Sequence, residues 1–282
     1  MSNKNTNKIA IISGTGILPQ LLSEELLKKE LDHLVVHFNS AAPNWISQNI
    51  SIIEAKIEQI AKLFDQLKLQ HVNRVVFAGA SVRPKIDLQL ADKRFLSLAP
   101  DIMKAMKAGD DTILRLLVTI FENEGFKVIG SQDILPFLLP SAGVLTKRQP
   151  SDQDERDIVR AREIVQKMGD VDVGQACVVS NGMCLGVETI QGTQEMLKFV
   201  KSFLDSNKST KGYRDGVFFK NIKANQSRLI DFPVIGPETV KQVSDANLNG
   251  IAIVYNNVFI LDLFETINMA NDKNIFISVI AE

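Results

Sequence analysis

Side chains able to do chemistry gather in two stretches of the sequence. In the first, residues 172–193, Asp172, Gln175, Glu188, Gln191 and Thr193 flank the apolar segments Cys177-Val178-Val179 and Leu185-Gly186-Val187. Gly192-Thr193 opens the helical run Met196, Leu197, Val200, Phe203, with Thr193 as the expected N-cap. A site built here would rest on a rigid sheet and face a helix start, where an anion is favoured. The alternative is a structural hairpin with solvated ends. The second stretch, residues 223–237, carries Lys223, Gln226, Ser227, Arg228 and Asp231 ahead of Pro233, Gly236 and Pro237. Lysine and arginine beside hydroxyl and amide groups suit phosphate oxygens.

Smaller candidates stand apart from these two. The glycines of Gly14-Thr15-Gly16 let the backbone turn tightly or approach a ligand. Lys147 and Arg148 offer either a phosphate clamp at a domain cleft or a solvated basic turn. In Gly109-Asp110-Asp111-Thr112 an aspartate is the expected cap of the helix over 113–124, with metal contact as the second reading.

The elements that must position these groups read as α/β. Ile9-Ala10-Ile11-Ile12, a glycine turn and Leu21, Leu22, Leu26, Leu27 at helical spacing form a strand–turn–helix opening. Strands are predicted over 34–38 and 74–79, a helix over 55–69, and a returning strand over 126–130. Alternating strands and helices imply a parallel, Rossmann-like sheet. Ligands are then expected beyond the strand ends, near residues 13–16 and 79–83. The full GxGxxG is absent: Pro19 holds the third glycine position, and no acid closes a ribose site. Residues 140–150, with prolines at both ends, read as a linker. A helix is predicted over 152–168. Asn181-Gly182 marks a type I′ hairpin turn, with Leu185, Val187 and Ile190 on the return strand. A strand over 216–220 and a helix over 238–246 follow. Residues 251–254 and 258–261 read as a hairpin around Asn256-Asn257, before a helix and a terminal strand. The expected organisation is an N-terminal Rossmann-like domain (1–139), a linker (140–150) and a C-terminal mixed α/β domain (151–282) that carries most of the site.

Composition narrows the function classes. At 282 residues, two domains are the natural expectation. A formal net charge of −1 with mixed signs lacks the basic footprint of a nucleic-acid binder. Cys177 and Cys184 are the two cysteines, both read as buried thiols on apolar strands, which fits a reducing, cytoplasmic compartment. The first eight residues are polar and lack a secretory core. No run reaches the length of a membrane span, so a lipid substrate would be met at the membrane surface.

Taken together, several short motifs resemble the UDP-2,3-diacylglucosamine pyrophosphatase family of lipid A synthesis. They are the N-terminal glycine turn with Leu18-Pro19, Gly109-Asp110-Asp111 with Leu114-Arg115, Glu124-Gly125-Phe126, Asp172-Val173-Gly174-Gln175, Val187-Glu188, Gly192-Thr193, and Asp231-Phe232-Pro233-Val234-Ile235-Gly236-Pro237. The resemblance implies two α/β domains with substrate at their junction, and hydrolysis to UMP and 2,3-diacylglucosamine 1-phosphate (lipid X). It implies Mg²⁺, with Asp172 and Glu188 as metal ligands, and Asp231, Gln226, Ser227 and Lys223 as catalytic residues. Substrate contacts would come from Gly14, Thr15, Gly16, Gln175, Gly192, Thr193 and Lys147. The implied partners are a UDP-linked diacylated sugar, the inner face of the inner membrane and, by analogy, a second copy of the chain. The sequence departs from the family pattern at three acids. Gln191 and Gln194 flank Gly192-Thr193 where the family has Glu and Asp, and Ser227 follows Gln226 where it has Asp. Ala224-Asn225 also replaces Pro-Gly. Serine is a poor ligand for a hard metal and a poor base near neutral pH. The alternative reading is therefore a weakened or inactive homologue that binds a nucleotide-sugar lipid.

Overall fold

The computed structural model describes residues 8–38, 43–80, 86–108, 110–206, 215–224 and 226–281. It divides into two units. One holds the chain through Pro136 together with Ser227–Asp231, the other Phe137–Gln226 and the chain from Phe232 onward.

The first unit is built on five parallel strands in the order β3-β2-β1-β4-β5: β1 (Lys8–Ser13), β2 (His33–His37), β3 (Ser51–Glu54), β4 (Val72–Ala78) and β5 (Lys127–Ile129). The unbroken apolar run of β1 is buried on both faces, as parallel sheets require. Helices α1 (Leu18–Lys28), α2 (Ile60–Leu69), α3 (Lys93–Ala108), α4 (Asp110–Asn123) and α5 (Ser131–Ile134) supply the connections. Ala10 and Ile12 share a core with Leu63, Phe64 and Phe121, where Phe121 meets Phe64 and Phe77 edge to face with ring centres 5.1 Å apart. Leu229 and Ile230, far along the chain, pack on the same core. Sequence pattern misses β3, which buries only Ile53, and α3, which carries Pro100 in its interior.

The second unit holds a six-stranded mixed sheet in the order β6-β13-β11-β9-β7-β8. Its strands are β6 (Gly143–Val144), β7 (Ala176–Ser180), β8 (Met183–Val187), β9 (Val217–Lys220), β11 (Gly250–Val254) and β13 (Phe276–Ile280), while β10 (Val234–Ile235) and β12 (Phe259–Ile260) form a separate parallel pair. Strands β9, β11 and β13 are parallel; β6, β7 and β8 run antiparallel to their neighbours. Alternation along β7 splits its side chains. Ala176 and Val178 join the core with α7 (Gly192–Ser206), α8 (Pro237–Asp245) and α9 (Leu263–Asp272); Cys177 and Val179 face α6 (Asp152–Asp170). Asn181 (φ 49°) and Gly182 (φ 78°) make the expected β7–β8 turn. Beneath it, the fully buried Asp157 carboxylate accepts the Asn181 and Gly182 N–H groups at 2.9 and 2.7 Å.

Several sequence expectations change. The 140–150 stretch is no free linker: β6 pairs with β13, and the Arg148 guanidinium bonds the Asn274 carbonyl and Asn249 Oδ1. Residues 251–254 and 258–261 are not a hairpin. Strand β11 lies between two parallel neighbours, Tyr255 N–H goes to the Ile280 carbonyl, and β12 joins β10. Cys184 is exposed on edge strand β8, and Ile190 lies beyond that strand, exposed.

Candidate functional site

Lys220 ends β9, paired with Ala176 at the start of β7 and Ile253 near the end of β11. This is the carboxyl edge of the parallel strands, where loops before β7, after β8 and after β9 come together. Lys220 interrupts a buried apolar strand and stays buried itself, as does Glu188 across from it. Their side chains are only 9 % and 10 % exposed, with Lys220 Nζ 4.0 Å from Glu188 Oε2. Thr193 links them: its hydroxyl donates to Glu188 Oε2 at 2.5 Å and accepts from Lys220 Nζ at 3.1 Å. The expected cap therefore lies inside the first turn of α7, and its hydroxyl serves the loop before the helix. Beside this network, Lys223 Nζ donates to Asp172 Oδ1 at 2.5 Å. The backbone N–H of Lys223 donates to Gln226 Oε1, and Gln226 N–H returns to the Lys223 carbonyl, both at 3.1 Å. The half-buried Gln175 gives its carbonyl to Asn221 N–H at 3.0 Å, and its buried Oε1 has no hydrogen-bond partner among the described residues.

The second unit thus brings together Asp172, Glu188, Thr193, Lys223, Gln226 and, at the start of α7, Gly192. Sequence reading misses Lys220 and the buried Asn257, whose Nδ2 donates to Asn221 Oδ1 at 3.0 Å. The available signal for Lys220 was a lysine ending an apolar strand three residues before Lys223. Lys147 lies elsewhere. Its N–H bonds Asn271 Oδ1 beside the amino end of β13, about 15 Å from the carboxyl edge at about 3.3 Å per strand residue.

Other candidates belong to the first unit. Gly14-Thr15-Gly16 follows β1, where Thr15 and Ala80 exchange backbone bonds and the Thr15 hydroxyl also reaches the Ala80 carbonyl. A Cβ on Gly14 would sit 2.5 Å from the Ala80 carbonyl, and one on Gly79 2.4 Å from that of Thr15. These two glycines allow two backbones to touch. Ser227 opens a turn: its carbonyl accepts Ile230 and Asp231 N–H, and Leu229 N–H reaches its hydroxyl at 3.4 Å. Residues 81–84, the side chains of Asp110 and Asp111, and Asn225 lie outside the described residues.

Chemically, the cluster sets two ammonium groups against two carboxylates at low solvent exposure. Each charge offsets the cost of burying its partner, and both ammonium groups are of the kind that takes phosphate oxygens. The same pairing weighs against a resident divalent cation. Mg²⁺ takes carboxylate, water and phosphate oxygens, whereas Asp172 and Glu188 each face a lysine. Among the described residues, no three His, Cys, Asp or Glu side chains converge. As paired here, these two carboxylates do not present a Mg²⁺ site.

Fold and cluster define a two-unit α/β protein with paired lysines and carboxylates at a sheet's carboxyl edge. Residues 8–138 match the LpxI N-terminal domain and residues 141–278 the LpxI C-terminal domain. The chain belongs to the LpxI family. It is 29 % identical over 270 residues to the UDP-2,3-diacylglucosamine pyrophosphatase LpxI of Caulobacter vibrioides, covering 96 % of each chain. Among solved structures, UDP-glucose 4-epimerases of Thermotoga maritima and Thermus thermophilus overlap in part. Their identities are 13 % and 11 % and their TM-scores 0.29 and 0.28, over 52 % and 51 % of this chain and 42 % and 41 % of theirs. Overlap at that level carries no argument.

Proposed function

We propose that this chain hydrolyses UDP-2,3-diacylglucosamine to UMP and 2,3-diacylglucosamine 1-phosphate in lipid A biosynthesis. The observation that carries the reading is the end-to-end match to a pyrophosphatase of that substrate. In the reaction, water oxygen bonds to one phosphorus and the bond from that phosphorus to the bridging oxygen breaks. The bridging oxygen leaves with the other phosphate, and the water loses a proton. Lys220 and Lys223 are the groups proposed to neutralise phosphate oxygens as charge develops. Gln175, Gly192 and Thr193 are proposed to orient the substrate; in the first unit, Gly14, Thr15 and Gly16 are proposed to offer backbone to a ligand. Gln226, Ser227 and Asp231 are proposed to orient the attacking water. No helix among the described residues is long and apolar enough to cross a membrane. The acylated substrate is proposed to be met at a membrane surface, on its cytoplasmic face.

One observation favours a second reading, binding without turnover. Position 227 is a serine engaged in its own turn, and a serine hydroxyl is a poor base near neutral pH. UMP release from UDP-2,3-diacylglucosamine, measured for the natural chain and for Ser227→Asp, separates the two. Turnover by the natural chain is the expected result. Silence in the natural chain with a rise of about 100-fold or more in the variant, the scale of a general base, would mean a scaffold lacking one group. Silence in both would overturn the hydrolase reading. The same assay run with and without Mg²⁺ tests the metal expectation.

A further inference from the structure

The carboxylate of Asp172 is launched from the end of α6. There Asp172 N–H bonds the Gly169 carbonyl at 3.2 Å and Val173 N–H the Met168 carbonyl at 3.0 Å. Asp172 sits in the left-handed region (φ 55°), which aspartate tolerates better than most residues. From that fixed base its Oδ1 takes Lys223 Nζ, with the two side chains 29 % and 12 % exposed. Lys223 in turn closes a reciprocal pair of bonds with the buried Gln226. A chain of contacts therefore runs from α6 through Asp172 and Lys223 to Gln226, and Ser227 is next in sequence. A cation ligand must turn its lone pairs towards the metal. Here an ammonium occupies one oxygen of the carboxylate and sets positive charge where a second cation would be repelled.

We propose that Asp172 is the positioning partner of Lys223, fixing the two bonds between Lys223 and Gln226, and is not a ligand of a divalent metal. The role in catalysis rests on the pyrophosphatase reading; the pairing and the bonds it fixes do not. Asp172→Asn suits the same backbone, and Lys223→Gln keeps length without charge. The two single variants and the double variant, as full chains, form a double-mutant cycle. Amide hydrogen exchange across residues 223–226 is the first readout. Each single variant is expected to speed exchange about tenfold, with the double variant no faster than either. For turnover, each is expected to lower kcat with KM and the half-saturating Mg²⁺ concentration held within about twofold. Ser227→Asp serves as background if the natural chain is silent. An Asp172→Asn variant that leaves exchange unchanged, or that raises the half-saturating Mg²⁺ about tenfold regardless of residue 223, would overturn the proposal. If neither background turns over, the pyrophosphatase reading fails, and exchange together with Mg²⁺-induced thermal shift still decides the role of Asp172.

Discussion

His33 shows how one buried residue ties stability to pH. Burial is the main cause holding its imidazole below the ordinary value of 6.5, with Ser23 Oγ 2.8 Å from Nε2 and the Leu31 carbonyl 3.2 Å from Nδ1. The folded chain keeps this group neutral while the unfolded chain takes a proton near pH 6.5. Stability from this group is therefore present above pH 6.5 and lost as pH falls from there towards the lowered folded value. Urea midpoints measured from pH 7.5 to pH 5.5, about one unit either side of an unperturbed histidine, are expected to decline. His33→Gln should flatten that decline, and an unchanged slope in the variant would remove His33 as its source. The cysteines differ by the same logic. Burial raises both thiols above their ordinary value, yet Cys184 is exposed to solvent where Cys177 is not.

At the scale of elements, the β7–β8 hairpin depends on a charge from another element. Asn181-Gly182 encodes the turn locally, but its two N–H groups end on the Asp157 carboxylate of α6. Asp157→Ala would leave those donors to water in place of a charged acceptor, at a cost of about 1–3 kcal/mol, whereas Asp157→Asn keeps one acceptor and should cost less. Urea denaturation of the two variants checks the order, and equal stability would show the turn to be self-sufficient. The hairpin and its turn were legible because apolar alternation and an Asn-Gly pair are local signals. The partners of β11 and β12 were not, because residues adjacent in sequence paired with distant strands instead. Helix α3 was missed because its Pro100 reads locally as a breaker.

At the scale of the whole molecule, the first unit is closed by chain that is not contiguous with it in sequence. Leu229 and Ile230 pack on the first unit's core although the chain leaves that unit after Pro136. A fragment ending at Pro136 therefore lacks part of its own core. Leu229→Ala and Ile230→Ala are each expected to lower that unit's stability by about 1–2 kcal/mol, read from urea unfolding. No change in either variant would mean that the excursion contributes no packing. The excursion also carries Ser227 and Asp231.

The sequence by itself determined the α/β class, the glycine turn after β1, the hairpin, the family resemblance and the three neutral replacements at 191, 194 and 227. All are written in local periodicity or in motif order. It also placed Asp172, Glu188, Thr193, Lys223 and Gln226 among the candidates, because polar residues at strand ends stand out from apolar runs. Tertiary structure alone decided how those residues pair. Lys220 and Lys223 meet Glu188 and Asp172 because antiparallel β7 starts where parallel β9 ends, a register that no local pattern records. The same register sets Lys147 at the opposite edge of the sheet. A side chain's type limits which bonds it can make; strand order and direction fix which partner comes within reach.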